Sequence, residues 1–210
     1  MAMMAVGVNY FIKGGNAKDI QAVKKIIESY VANDLLFEHH KPGEVRTVDS
    51  LSNIDERTVG LDLSKKGEIK IVFVDNNDTT ESIFLYRDGD RQILLEQIVL
   101  MTSGFKTLDS DWLDIKRVLH QGSATFRWIA ANEDNYVRNG EHLLKEILKE
   151  TSLNKMDLYL QIANLDTPLM LLYKLIEIIE ACSAISEVVF QVVGDGDERD
   201  NGIISIFYPQ

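Results

Sequence analysis

The sequence predicts an α+β protein built in two parts. Hydrophobic residues make up 45% of the 210 residues and charged residues 26%, the balance of a globular protein with a buried core. Apolar residues recur at helical spacing in some stretches and as short β-rich runs in others. The second half follows the order β-α-β-α-β-β, which favours a sheet with two helices on one face. No apolar run approaches the roughly 20 residues of a membrane-spanning helix.

Residues 1–90 are predicted to form an N-terminal α+β region of unknown type. Asn16 follows Gly14 and Gly15 in a turn, and because Asn is a favourable cap, a helix is predicted over residues 17–33. Residues 34–57 are polar and mixed, which predicts a loop. Strands are predicted at Val6–Ile12, Thr58–Leu63, Ile69–Val74 and Ser82–Tyr86.

Residues 91–120 are predicted to connect the two parts through two helices and an acidic loop. Residues 91–102 are dense in apolar positions and predict a helix that ends at Gly104. A second helix is expected to begin at a cap formed by Asp109 or Ser110.

Residues 121–210 are predicted to form the second domain. Pro168 marks a helix start, because its missing N–H costs nothing in a first turn. The strands are expected at Thr125–Ala131, Asp157–Ala163, Val188–Val193 and Ile203–Tyr208, and the helices after Asn135 and over Leu169–Cys182.

The net charge and the cysteine count indicate which classes of partner and which cellular compartment the sequence favours. The chain has 22 Lys and Arg against 33 Asp and Glu, a net charge of −11, which argues against a nucleic-acid partner. The absence of a long apolar run argues against membrane insertion. Cys182 is the single cysteine and cannot form an internal disulfide, so a cytoplasmic location is expected.

Four stretches in residues 94–209 carry a family likeness. They are LEQIVLMTSG at 95–104, SDWLDIKRV at 110–118, GSATFRWIAANEDN at 122–135, and DLYLQIAN at 157–164 with the closing VVFQVVGDGDERDNGIISIFYP. In content and order they resemble the C-terminal half of the tubulin/FtsZ family. The resemblance implies that residues 121–210 are an FtsZ C-terminal-like domain.

The same resemblance implies GTP hydrolysis coupled to polymerisation. In that family a loop before a helix reaches the nucleotide of the next subunit, and two aspartates there polarise the attacking water. By position Asp111 and Asp114 match those aspartates, and Asp109 stands where an asparagine is expected. The alternative is that these three acids cap a helix and offset its dipole.

The glycine-rich phosphate loop of the family has no counterpart in residues 1–100. Such a loop needs bare backbone N–H groups to surround phosphate oxygens. The turn Gly14, Gly15, Asn16 before a helix is a candidate phosphate turn, but two glycines make a poor cradle. We therefore expect no cofactor, with GTP as the alternative, and no autonomous GTPase activity.

These observations leave three hypotheses for the function of the protein. The leading hypothesis is a non-catalytic FtsZ-like interaction and assembly module that binds itself or a tubulin-like cytoskeletal partner through residues 105–114 and the opposite face. The second is a small-molecule sensor or enzyme with a pocket between the two halves. The third is a divergent GTPase of the tubulin/FtsZ family.

No metal site is expected. His39 and His40 follow Glu38, but adjacent histidines in a strand point to opposite faces. The acidic residues after Val193 do not match a calcium loop, because Arg199 stands where the fifth loop position requires an oxygen ligand.

Overall fold

The strands and helices of the computed structural model give an α+β fold, which confirms the predicted class. The structure describes residues 8–33, 43–55, 58–75, 78–102, 122–151, 155–163, 169–193 and 202–209. The chain divides into two compact units, Met1–Gly104 and Phe105–Gln210. The predicted connecting region 91–120 stays a prediction, because residues 103–121 lie outside the described residues.

The first unit is a mixed sheet with two helices. In chain order its elements are β1 (Asn9–Lys13), α1 (Ala17–Asn33), β2 (Val45–Thr47), β3 (Thr58–Asp62), β4 (Glu68–Asp75), β5 (Asp78–Leu85) and α2 (Arg91–Thr102). The strand order is β2-β1-β3-β4-β5. The strands β2, β1 and β3 run parallel, while β4 is antiparallel to both β3 and β5. The predicted helices over 17–33 and 91–102 are confirmed.

The helix α2 lies in the core of its unit. Every residue from Leu94 to Thr102 is buried, which is typical of a core helix rather than a surface helix. The hydroxyl of Tyr10 on β1 donates to the carbonyl of Val99 at 3.3 Å and lies 2.7 Å from Thr102 Oγ1. The C-terminal end of α2 is therefore tied to β1.

The opposite face of this sheet carries cross-strand ion pairs. Lys13 on β1 pairs with Asp62 on β3 at 2.9 Å, and Lys70 on β4 pairs with Glu81 on β5 at 2.6 Å. All four side chains keep some exposure to solvent. Such cross-strand pairs are typical of a sheet face in contact with water.

The second unit has the predicted order β-α-β-α-β-β. Its elements are β6 (Ser123–Ala131), α3 (Tyr136–Glu150), β7 (Met156–Ala163), α4 (Leu169–Glu180), β8 (Ile185–Val193) and β9 (Gly202–Pro209). The strand order is β6-β9-β7-β8; β9 is antiparallel to β6 and β7, and β7 is parallel to β8.

Both helices of the second unit pack into one hydrophobic core with one face of the sheet. Buried residues of α3 and α4, such as Leu143 and Leu175, join Leu160 and Ile206 of the strands in this core. Gly140 on α3 allows this packing, since a Cβ there would lie 2.6 Å from a methyl carbon of Leu175. The predicted placement of the helices on one face is confirmed.

The other face of that sheet is also buried. Phe207 on β9 contacts the rings of Phe126 on β6 and Tyr159 on β7, with centroid distances of 5.1 and 5.7 Å. The polar side chains Gln191 and Ser205 lie on this face and are fully buried. A buried sheet face that carries amide and hydroxyl groups needs hydrogen-bond partners for them.

The predicted loop over residues 34–57 is wrong at β2. Val45–Thr47 pairs with β1 in parallel. The strand has three residues, all at least partly exposed, so it shows neither the alternation nor the apolar density that identifies strands in a sequence. The remaining strand ends differ from the predicted ones by a few residues.

Replacing Tyr136 by Phe should stabilise the protein. The side chain is fully buried in the core of the second unit, its hydroxyl has no hydrogen-bond partner among the described residues, and burial raises its pKa. Removing the hydroxyl removes a desolvation cost, so we expect a gain of about 1 kcal/mol in the free energy of unfolding, measured by urea denaturation.

Tyr159→Phe is the matched control for this substitution. The Tyr159 hydroxyl donates to Gln191 Oε1, and both groups are buried. Its removal leaves that oxygen unsatisfied, so the control should lose about 1–3 kcal/mol. A loss of stability in Tyr136→Phe would mean that its hydroxyl has a partner after all.

Candidate functional site

The predicted phosphate turn lies at the carboxyl end of β1, where the strand order reverses. The chain enters α1 from β1, and β2 and β3 flank β1 on opposite sides. In open sheets with parallel strands, ligands bind in the crevice that this reversal creates. The groups around Gly14, Gly15 and Asn16 therefore decide whether the first unit can hold a nucleotide.

The two glycines of the turn are required by the packing of the chain itself. Gly14 has φ of 69°, and a Cβ at this position would collide with Ser64 Oγ. A Cβ on Gly15 would lie 2.8 Å from Ile12 Cγ2 and 3.1 Å from Leu63 Cδ1. A side chain at either glycine would therefore meet neighbours from the same unit: Ser64 and Leu63, which follow β3, and Ile12 on β1.

The backbone amides at the start of α1 are used by neighbouring side chains. Asn16 Oδ1 accepts hydrogen bonds from the N–H groups of Lys18 and Asp19 at 2.8 and 3.1 Å. In return, the Asn16 N–H donates to Asp19 Oδ2 at 3.0 Å. This reciprocal pair has the geometry of a capping box. The amides that would surround an anion therefore already have acceptors.

The Asp19 carboxylate is the centre of a buried polar cluster. Its side chain is fully buried. Arg91, the first residue of α2, donates from Nε to Oδ1 at 3.2 Å and from Nη2 to Oδ2 at 2.9 Å. The Gln92 amide donates to Oδ1 at 3.0 Å. Together with the Asn16 N–H, four donors satisfy this carboxylate.

Electrostatics favour the ionised form of both partners. Burial alone would raise the pKa of Asp19, but the hydrogen bonds from Arg91, Asn16 and Gln92 outweigh it, and the pKa lies below its ordinary value. The hydrogen bond to Asp19 raises the pKa of Arg91. Arg91 also donates to the Leu63 carbonyl at 3.2 Å, so the cluster joins α1, α2 and the end of β3.

A second carboxylate, Asp62, lies at the same ends of β1 and β3. It pairs with Lys13 and accepts from the N–H and hydroxyl of Ser64 at 3.0 and 2.5 Å. Burial would raise the pKa of Asp62, and the bonds from Ser64 and Lys13 lower it below its ordinary value. This carboxylate fixes Ser64 beside Gly14.

The arrangement places a buried carboxylate of the chain at the start of α1. A carboxylate of the chain takes the hydrogen bonds and the positive helix end that a phosphate would otherwise use. In the part of the chain that the structure describes, no group of three or more His, Cys, Asp or Glu side chains could hold a metal ion. One surface depression of about 170 Å³ lies beside Lys24, Glu28 and Val45, smaller than the roughly 300–1,000 Å³ of ligand pockets.

Several predicted site residues lie outside the described residues. Asp109, Asp111 and Asp114 fall in residues 103–121, the paired histidines in 34–42, and the acidic loop in 194–201. Their roles stay predictions, as does that of the glycine turn. Sequence reasoning missed Arg91 as a site residue, because its partner Asp19 is 72 positions away. A capping signal was present, since Asp19 stands three residues after Asn16.

Comparisons with known proteins find similarity to solved structures, but not to family models or to curated proteins. No protein-family model and no curated protein matches the chain. An empty FtsZ dimer from M. jannaschii is similar over 56% of this chain and 37% of its own, with a TM-score of 0.46 and 11% identity. A tryptophan-to-tyrosine mutant of M. jannaschii FtsZ is similar over 57% and 38%, with a TM-score of 0.44 and 12% identity. The chain thus spans under two fifths of either structure.

None of the helices in the described ranges is long and apolar enough to cross a membrane.

Asp19→Ala should strongly destabilise the protein, and a small anion should restore part of the loss. The substitution leaves the partly buried guanidinium of Arg91 without its counter-charge and removes the acceptor of the Gln92 amide, which together cost about 2–3 kcal/mol. Formate fits the vacated position, so it should raise the melting temperature of Asp19→Ala more than that of the wild type, measured by differential scanning fluorimetry.

Asp62→Ala is the matched control for this effect. Its partner Lys13 has a 40% exposed side chain, so the loss should be about 1 kcal/mol or less. Formate should give this variant no specific gain. Equal losses in the two variants would contradict the central role of Asp19.

The change of the free energy of unfolding at acid pH should also reveal the contribution of the ionised Asp19 carboxylate. Its folded pKa is lower than its unfolded pKa, so its contribution is present above the ordinary pKa of about 4 and is lost as pH falls through the folded pKa. The free energy of unfolding of Asp19→Asn should therefore fall less steeply with acidification than that of the wild type. Urea denaturation between about pH 5 and pH 2 measures the difference, and parallel curves would contradict it.

Proposed function

We propose that this protein is a non-catalytic assembly module that associates with itself or with a tubulin/FtsZ-like partner. The observation that carries the proposal is the self-capped start of α1 at the end of β1. A phosphate-binding turn needs free backbone amides, whereas here the amides of Asn16, Lys18 and Asp19 donate to side chains of the chain itself. A protein with this arrangement acts through its surfaces.

The charge of the crevice supports the proposal. A phosphate arriving at the start of α1 would meet the Asp19 carboxylate, a like charge, in a site with little water. To bind there it would have to displace Asp19 from four hydrogen-bond donors. Arg91, the cation best placed to hold a phosphate, is already neutralised by Asp19.

The surface of the second unit supports the assembly role. Met170 and Tyr173 on α4 are exposed by 78% and 58% and lie about one helical turn apart, so they form an apolar outer face of the helix. On β8, Val188, Phe190 and Val192 are only partly buried. Exposed apolar groups of this kind are typical of surfaces that bind another protein.

The resemblance of residues 94–209 to the tubulin/FtsZ family supports the choice of partner class. In this proposal the second unit provides the contacts and the first unit provides a rigid support. The GTPase alternative depends on Asp111 and Asp114, and the sensor alternative on a pocket that stays a prediction.

The purified protein should self-associate without nucleotide and should neither bind nor hydrolyse GTP. Sedimentation velocity over a concentration series tests association, and a thermal shift with Mg²⁺ and GTP tests binding, because a specific ligand raises the melting temperature by mass action. Released phosphate is measured in parallel.

Asp111→Ala is the control for the enzymatic alternative. Phosphate release above background that disappears in this variant would overturn the non-catalytic proposal in favour of a GTPase. A protein that stays monomeric at high concentration and leaves an FtsZ polymer unchanged would contradict the assembly role.

A further inference from the structure

We infer that two copies of the chain associate by antiparallel pairing of their β8 strands about a two-fold axis. This inference rests on the proposed assembly function and names its surface. It follows from three features of β8: its place at the end of the strand order among the described residues, the scarcity of protecting residues in its own sequence, and the self-complementary order of its side chains.

The outer edge of β8 can accept another strand. The strand lies at the end of the order β6-β9-β7-β8, and among the described residues β7 is the one strand that pairs with it. An edge strand presents a row of backbone N–H and C=O groups, which a second strand can satisfy. At nine residues, β8 is long enough for a stable pairing.

Edge strands are normally protected, and the sequence of β8 itself carries little protection. It contains one charged residue, Glu187, and neither Lys nor Pro. A register irregularity opposite Met156 and Asp157 protects its first residues, which leaves 187–193 as the regular edge. In contrast, the edge strand β2 has three residues and carries the exposed Arg46. Natural edges that must stay unpaired are built like β2.

The side chains of β8 complement a second copy in one register. A two-fold axis through Val189 places Val188 opposite the partner's Phe190, so that partly buried apolar side chains cover each other. The same register places Gln191 opposite the partner's Glu187, so polar residues face polar residues and apolar residues face apolar ones.

Charge also agrees with this pairing. In this register the two Glu187 side chains lie four residues apart along the strands, about 13 Å, which exceeds the Debye length of about 8 Å at physiological salt. The chain as a whole has a net charge of −11, so an extended basic peptide is the competing occupant of the edge. The matched residues on β8 itself favour a second copy.

The first test compares Val188→Lys with Val137→Lys. Each replaces a partly buried valine of the second unit by Lys, the former on the β8 edge and the latter on α3. Edge lysines prevent strand pairing, so Val188→Lys should weaken self-association in sedimentation velocity by about tenfold or more, and Val137→Lys should leave it unchanged. Circular dichroism and melting curves establish that each variant is folded.

The second test uses cross-linking and does not need a disruptive substitution. In a Cys182→Ser background, Val189→Cys places two cysteines opposite each other across the axis, within the roughly 4.4–6.8 Å Cα separation of disulfides. Mild oxidation should produce a covalent dimer. Val137→Cys on α3 in the same background should not.

The outcomes separate the inference from the proposed function. If the wild type is monomeric, both self-association and the β8 pairing are wrong. If it associates but Val188→Lys associates equally well, the assembly function stands and the β8 inference is overturned. The same holds if the folded control Val137→Lys abolishes association. If Val188→Lys fails to fold, the cross-link decides, and its absence overturns the pairing. Association only with a basic peptide also overturns it.

Discussion

The buried ion pair between Asp19 and Arg91 determines how the first unit is arranged. Arg91 is the first residue of α2, a position where the helix dipole disfavours a cation, and Asp19 offsets this unfavourable placement. The same carboxylate is favourable in the first turn of α1. One contact therefore brings the starts of both helices to the ends of β1 and β3. Without it, a partly buried guanidinium would lack a counter-charge.

This contact also explains why a glycine turn before a helix is not in itself a phosphate site. Glycines permit close approach of any group, and at Gly14 and Gly15 the approaching groups are Ser64, Leu63 and Ile12. The capping oxygen of Asn16 and the carboxylate of Asp19 then complete the hydrogen bonding of the turn. A motif of the same spacing serves packing here, and only the neighbouring side chains distinguish the two uses.

Local signals predicted much of the fold. The helix over 17–33 begins after a strong cap, and the helix over 91–102 is dense in apolar residues, so both were located from the sequence. The strand β2 was missed because its three exposed residues depend on pairing with β1. The partnership of Asp19 with Arg91 joins distant parts of the chain, and no local pattern encodes it. The acids at 109–114 lie outside the described residues.

The attachment of α2 at both ends has a mechanical consequence. Arg91 holds its first turn, and Thr102 holds its last turn through the hydroxyl of Tyr10. Some proteins transmit signals by sliding one helix past its neighbours by a turn, about 5.4 Å. Such a ratchet would have to break both attachments at once and move the residues that are buried from Leu94 to Thr102. Any displacement of α2 would therefore carry β1 and the start of α1 with it.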